Sequence, residues 1–181
     1  GPENLVYRAC QMLYKASPDS PPNIKITLTK NIPLGSGLGG ASSDAAAILQ
    51  GLNIFANLGI NNKNILEIAD KLGSDVPFFL GGPLAFCAGK GEKIEKIEKK
   101  FEFSAILALP PVNSSTKRVY ENYTHDPALY NQLSRQTKDL IAKKRIDLLS
   151  QMCANMLQDS CFQLYEELAG LQSCVNDLQL G

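Results

Sequence analysis

The run Lys30-Asn31-Ile32-Pro33-Leu34-Gly35-Ser36-Gly37-Leu38-Gly39-Gly40-Ala41-Ser42-Ser43-Asp44-Ala45-Ala46-Ala47 joins two segments of incompatible periodicity, so the chain must turn within it. Before it, Ile24, Ile26 and Leu28 alternate with Lys25, Thr27 and Thr29. A period of two reads as a half-buried strand, here over residues 24–30. After it, Ala45, Ala46, Ala47, Ile48, Leu49 and Leu52 form an apolar face of good helix formers, which predicts a helix over 42–57. Ser42, Ser43 and Asp44 then fall where N-caps belong. Glycine lets backbone amides curl around an anion, and the unpaired N–H groups of a first helical turn point at it. The segment has the makings of a phosphate cradle.

Several glycine-rich loops share that physics. A Walker loop needs Lys and then Ser or Thr after its last glycine, but Gly40 is followed by Ala41-Ser42. Gly89-Lys90-Gly91 fails too, because Leu84 stands where the first glycine should be. A dinucleotide fingerprint matches Gly35-x-Gly37-x-x-Gly40 literally. It also demands a strand and a carboxylate about 20 positions on, where this chain has Leu58-Gly59-Ile60-Asn61-Asn62-Lys63. A glycine-rich turn without a ligand is the plain alternative, though it gives no reason for Ser42 and Ser43 at the helix start.

A second segment, Leu72-Gly73-Ser74-Asp75-Val76-Pro77-Phe78-Phe79-Leu80, follows a helical pattern of Ile65, Leu66, Ile68, Ala69 and Leu72. That pattern predicts a helix over 62–72, stopped at Gly73. Pro77 disfavours helical geometry at Val76, which places Asp75 in an extended corner beside apolar residues. A carboxylate there can orient or deprotonate a hydroxyl, as phosphoryl transfer requires. An aspartate that only satisfies turn amides carries the same signature.

Pro-x-x-x-Gly-Leu-Gly from Pro33 to Gly39, followed by serines and a small-residue helix, resembles the phosphate loop of the GHMP kinases. These act on galactose, homoserine, mevalonate and related alcohols. The fuller form Lys-Asn-Ile-Pro-x-Gly-x-Gly-Leu-Gly-Gly-x-Ser-Ser-Asp-Ala-Ala is similar to one branch of the family. That branch phosphorylates the 2-hydroxyl of 4-diphosphocytidyl-2-C-methyl-D-erythritol in non-mevalonate isoprenoid biosynthesis. Ala41 departs, where the branch often has glycine. Gly73-x-Asp75-Val76-Pro77-Phe78-Phe79 resembles its catalytic-aspartate segment, and Gly81, Gly82, Ala85, Gly89, Gly91 and Glu92 continue the pattern.

The resemblance implies an ATP-dependent small-molecule kinase with an α+β, GHMP-kinase-like two-domain fold. A nucleotide-binding half would span 1–100 and a helix-rich substrate-binding half 101–181, with the cleft between them holding nucleotide and substrate. ATP and Mg2+ would be the cofactors. Pro33, Leu34, Gly35, Ser36, Gly37, Leu38, Gly39, Gly40, Ala41, Ser42 and Ser43 would surround the phosphates, with a Ser42 or Ser43 hydroxyl near the metal. Asp75 would act on the substrate hydroxyl. Pro110 to Tyr120, behind the apolar run Ala105–Leu109 that reads as buried, resembles the family segment ending in an aromatic that stacks on cytosine. It implies substrate-binding roles for Tyr120 and Thr116, although a tyrosine in a helix after a Pro-rich turn is as often a packing residue. A homoserine- or mevalonate-type kinase, and a non-catalytic nucleotide-binding remnant, are the alternatives.

At 181 residues and zero formal charge, the chain gives no basic surface for nucleic acid and no apolar stretch for a membrane. A soluble monomer or homodimer acting on a small molecule in bacterial cytoplasm or plastid stroma is expected. The cysteines Cys10, Cys87, Cys153, Cys161 and Cys174 lack metal-ligand spacing, and the last three fall in helical patterns as expected core residues. His125 reads as a surface residue. Further expectations are a helix over 3–16, β segments near 83–88, 92–98 and 101–109, and helices from 116 onward. The family's opening Pro-Ala-Lys-x-Asn strand and closing Ser-Gly-Ser-Gly loop have no counterpart. The 181 residues are therefore expected to be an internal piece, incomplete at both ends and inactive alone.

Overall fold

The computed structural model describes residues 1–17, 22–33, 36–89, 91, 93–98, 104–145, 148 and 154–178. Their contacts divide into two units, Gly1–Lys100 and Phe101–Gly181.

The first unit holds α1 (Leu5–Ala16), α2 (Gly40–Phe55), α3 (Asn62–Leu72), α4 (Val76–Gly81) and the strands β1 (Ala85–Ala88) and β2 (Lys93–Lys96). Asparagines start two of the helices. Asn4 Oδ1 accepts from the Val6 amide and Asn61 Oδ1 from the Asn64 amide, each satisfying a donor that the helix leaves unpaired. The core gathers Ala9 and Leu13 of α1, Ala45, Ala46 and Leu49 of α2, and Ile65, Ile68 and Ala69 of α3. Alanines at these positions let the helix backbones approach, and Leu13, Leu49 and Val76 fill the centre. Burying each such side chain contributes about 1.5–3 kcal/mol. Asn53 fixes the turn into α3 by bonding both the amide and the carbonyl of Ile60.

The expected strand over 24–30 forms no ladder. Among the described residues the sheet is the antiparallel pair β1–β2, with Ala85 opposite Lys96 and Ala88 opposite Lys93. Alternation sets which faces are apolar, but a strand also needs a partner for its N–H and C=O groups. Ile24 and Leu28 are half-buried, and Ile26 is 38% exposed. The expected third β segment near 101–109 is also absent over 104–109, residues 101–103 lying outside those described. Ile106 there is 87% exposed, so the run read as buried is not. A continuous apolar run becomes a buried strand only between neighbouring strands.

The second unit holds α5 (Thr116–Glu121), α6 (Pro127–Ala142), α7 (Gln158–Leu164) and α8 (Glu166–Asp177). Its described residues bury only Val119 and Ser160. Polar contacts tie α5 to α7 and α8: the Ser115 amide donates to Tyr165 Oη at 2.9 Å, and Asn122 Nδ2 to Gln163 Oε1 at 3.0 Å. Asp126 caps α6, accepting from the Ala128 and Leu129 amides, with Pro127 at a first-turn position where no donor is lost. Of the cysteines expected in the core, Cys161 is half-buried and Cys174 exposed, and Cys153 lies outside the described residues. Helical spacing places a residue on a face without saying whether anything covers that face.

Candidate active site

The helix after the glycine loop begins two residues earlier than the serines suggested. Its N-cap is Gly39, in the left-handed conformation at φ 69°, and its first helical residue is Gly40. Ser42, Ser43 and Asp44 therefore lie inside the opening turns and are not caps. With no capping side chain on α2, its first-turn amides stay available to an outside acceptor.

Those amides border a cradle of about 170 Å³ lined by Pro33, Ser36, Gly37, Leu38, Gly39, Gly40, Ala41 and Ser42, together with Lys30, Ile32 and Asp44. Leu34 and Gly35 lie outside the described residues. Ser43 is not among the lining residues, and its hydroxyl donates back to the Gly40 carbonyl at 2.9 Å. Ser42 is thus the better placed of the two hydroxyls. Lys30 supplies a positive charge, with its Nζ 3.5 Å from Asp44 Oδ2. The sequence reading assigned it no role. Its parity was the available signal, since position 30 continues the apolar series 24, 26, 28 with a charged residue.

Asp75 is not in an extended corner. It is the N-cap of α4, in the right-handed helical region at φ −90°, ψ −15°, with Pro77 inside the first turn. The bias against helix before proline is overridden because a first-turn proline has no N–H to lose. Asp75 makes no capping bond, and Ser74 Oγ approaches its Oδ1 at a long 3.4 Å. Turn amides therefore do not occupy this carboxylate among the described residues.

A second cavity, about 350 Å³, is lined by Gly37, Leu38 and Gly39 from the loop, by Ser74, Asp75, Phe78 and Phe79, and by Cys87 and Gly91. Gly37 to Gly39 border both cavities, so the loop and Asp75 face a common space. Gly91, in the turn between β1 and β2, packs on the corner that carries Asp75. At its φ of +112°, an added Cβ would lie 2.8 Å from the Ser74 carbonyl oxygen, which only glycine avoids.

Burial first, and the Asp75 carboxylate second, push the Cys87 thiol above its ordinary range. Both act against the thiolate. Alkylation of Cys87, followed by peptide mass spectrometry across pH, is expected to show a midpoint above that of a free thiol. In Asp75→Asn the midpoint should fall, because one of the two causes is gone. An unmoved midpoint would mean that Asp75 does not face Cys87.

In the second unit, Thr116 opens α5 and is exposed. Tyr120 is 62% exposed, while its neighbour Val119 carries the burial. The packing reading of Tyr120 is thus without support among the described contacts.

Residues 4–83 match the model of the GHMP kinases N terminal domain. Over these residues the chain belongs to the GHMP kinase family. Over nearly its whole length, that domain included, the chain is 31% identical across 173 residues to a 4-diphosphocytidyl-2-C-methyl-D-erythritol kinase of Clostridium botulinum, covering 96% of this chain and 61% of the relative. The enzyme of the same name from Citrifermentans bemidjiense is 42% identical over 131 residues, which is 71% of this chain and 46% of the relative. A crystal structure of 4-(cytidine 5'-diphospho)-2C-methyl-D-erythritol kinase superposes with a TM-score of 0.68 at 29% identity, covering 98% of this chain and 63% of that one. The chain thus spans less than two thirds of the length of these relatives. The GHMP kinase fold is α+β, as expected, and the dinucleotide reading falls. No strand follows α2, since residues 58–61 run without regular structure into α3. Among the described residues, no helix is long and apolar enough to cross a membrane.

Proposed function

We propose that the full-length protein transfers the γ-phosphate of ATP to the 2-hydroxyl of 4-diphosphocytidyl-2-C-methyl-D-erythritol. The observation that carries the reading is the cavity shared by Gly37–Gly39 and Asp75. The names of the similar kinases support the substrate. In this reading residues 1–100 are the ATP-binding domain and residues 101–181 belong to the substrate-binding domain.

Amides from Gly37 to Ser42 hold the phosphate oxygens, where the start of α2 favours negative charge. Lys30 adds a cation, released from Asp44 toward the triphosphate. The residues of the cradle also suit Mg2+, a hard ion that accepts hydroxyl and carboxylate oxygen. Ser42, with Asp44 beside it, would hold that ion, which supplies charge neutralisation on the phosphates. Asp75 orients the substrate hydroxyl and accepts its proton as the oxygen bonds to the γ-phosphorus and the bond to ADP breaks. Tyr120 offers a ring face to the cytosine, and Thr116 an adjacent hydroxyl.

Turnover by the full-length protein is compared on the cytidyl polyol, homoserine and mevalonate, each with ATP. Preference for the cytidyl substrate is expected, and preference for either of the others would overturn the assignment. Base–aromatic stacking is worth about 1–3 kcal/mol. Tyr120→Ala should therefore raise KM for the cytidyl substrate roughly tenfold or more while sparing KM for ATP. Tyr120→Phe, which keeps the ring face, should stay near wild type.

A further inference from the structure

Phe79 touches the glycine loop in a way that neither motif explains. A Cβ built on Gly39 would lie 2.7 Å from Phe79 Cζ and 3.0 Å from Cε2, so the tip of the ring occupies the place where a side chain at 39 would start. Gly39 is the left-handed N-cap of α2, and its carbonyl receives the Ser43 amide at 2.9 Å. Phe79 sits in α4, whose N-cap is Asp75, so ring and carboxylate share one short helix. Phe79 is half-buried and also lines the cavity that holds Asp75. It packs against the hydrophobic core and meets Phe78 edge-on, with centroids 5.1 Å apart at 75°.

We propose that Phe79 is a positioning residue whose ring, seated on Gly39, sets the separation between the phosphate loop and Asp75. The inference rests on the proposed kinase reading. Loop and carboxylate belong to different helices, and the ring is a direct spacer between them. A spacer of this kind fixes the distance over which the γ-phosphate and the hydroxyl meet, where small misplacements are costly.

The test uses Phe79→Leu, Phe79→Tyr, Gly39→Ala and the double variant Gly39→Ala/Phe79→Leu in the full-length protein. ATP affinity, kcat, KM and thermal unfolding are measured for each. Phe79→Leu shortens the spacer without crowding the loop. It should lower kcat about tenfold or more, with ATP affinity within about threefold of wild type. Phe79→Tyr keeps the ring but adds an oxygen at the atom nearest Gly39, so it should weaken ATP binding at least tenfold while folding normally. At most half-buried positions that exchange is mild, and near-normal constants for Phe79→Tyr would overturn the proposal.

Gly39→Ala should cost less in the Phe79→Leu background than alone, by about tenfold in ATP affinity, because the collision is removed and only the left-handed strain remains. Independent, multiplying effects would also overturn it. The same non-additivity is expected in thermal unfolding, which needs no turnover. Coupling in unfolding with kcat untouched by Phe79→Leu would make the contact structural only and refute the positioning role. If wild type bound no ATP, the kinase reading itself would fail. If wild type turned over and the variants behaved independently, only this inference would fail.

Discussion

Asp75→Asn in the full-length protein is expected to lower kcat by about 10²-fold or more, with ATP affinity nearly unchanged. Asparagine keeps the shape and one acceptor oxygen, so the α4 start and the cavity wall should survive. What is lost is the negative charge and the ability to take a proton from a hydroxyl. Asp75 makes no capping bond, and its contact with Ser74 Oγ is long at 3.4 Å, so the melting temperature should hardly move. That combination separates chemistry from structure. A large loss of stability would return Asp75 to the role of a turn residue, as would near-normal turnover.

Gly37→Val should raise the Kd for ATP roughly 10- to 100-fold. Gly37 has φ +72°, and an added Cβ would meet nothing within 4 Å. The penalty is therefore conformational. A β-branched residue resists the left-handed region, so the loop must shift and its amides leave their aim. Hydrogen bonds to charged groups contribute about 1.5–3 kcal/mol each, and losing one corresponds to the stated range. Gly37 is exposed and outside the core, so calorimetry of ATP binding should change while thermal unfolding of the ligand-free protein does not. Unchanged ATP affinity would mean that the loop does not hold phosphate.

Much of this was legible before any coordinates. The α3 boundaries follow from the spacing of Ile65, Ile68, Ala69 and Leu72 with a stop at Gly73, because local pattern and tertiary burial agree there. The glycine-rich run announces a loop opening a helix, and that helix lies two residues earlier at both ends, Gly40–Phe55 in place of 42–57. Serine is a good cap in isolation, yet Gly39 can take the left-handed turn that lets α2 begin sooner. Elsewhere the deciding facts are non-local. Whether Ile24–Thr29 is a strand depends on a partner, and whether Ala105–Leu109 is buried depends on what lies either side. Neither is written in the segment itself. Phe79 read as one more apolar residue beside Asp75, since nothing in its spacing reveals that its ring rests on a glycine forty positions earlier. Lys30 was likewise visible only as the first letter of a motif. The cradle gives it a neighbour in Asp44.

The most direct measurement of the central claim, that the glycine loop and Asp75 form one phosphoryl-transfer site, is a crystal structure of the full-length protein with a non-hydrolysable ATP analogue. The account predicts a triphosphate on the amides of Gly37 to Ser42, with Lys30 turned toward it and the terminal phosphate facing Asp75 across their shared cavity. A nucleotide bound away from the loop would contradict it, as would a terminal phosphate directed away from Asp75.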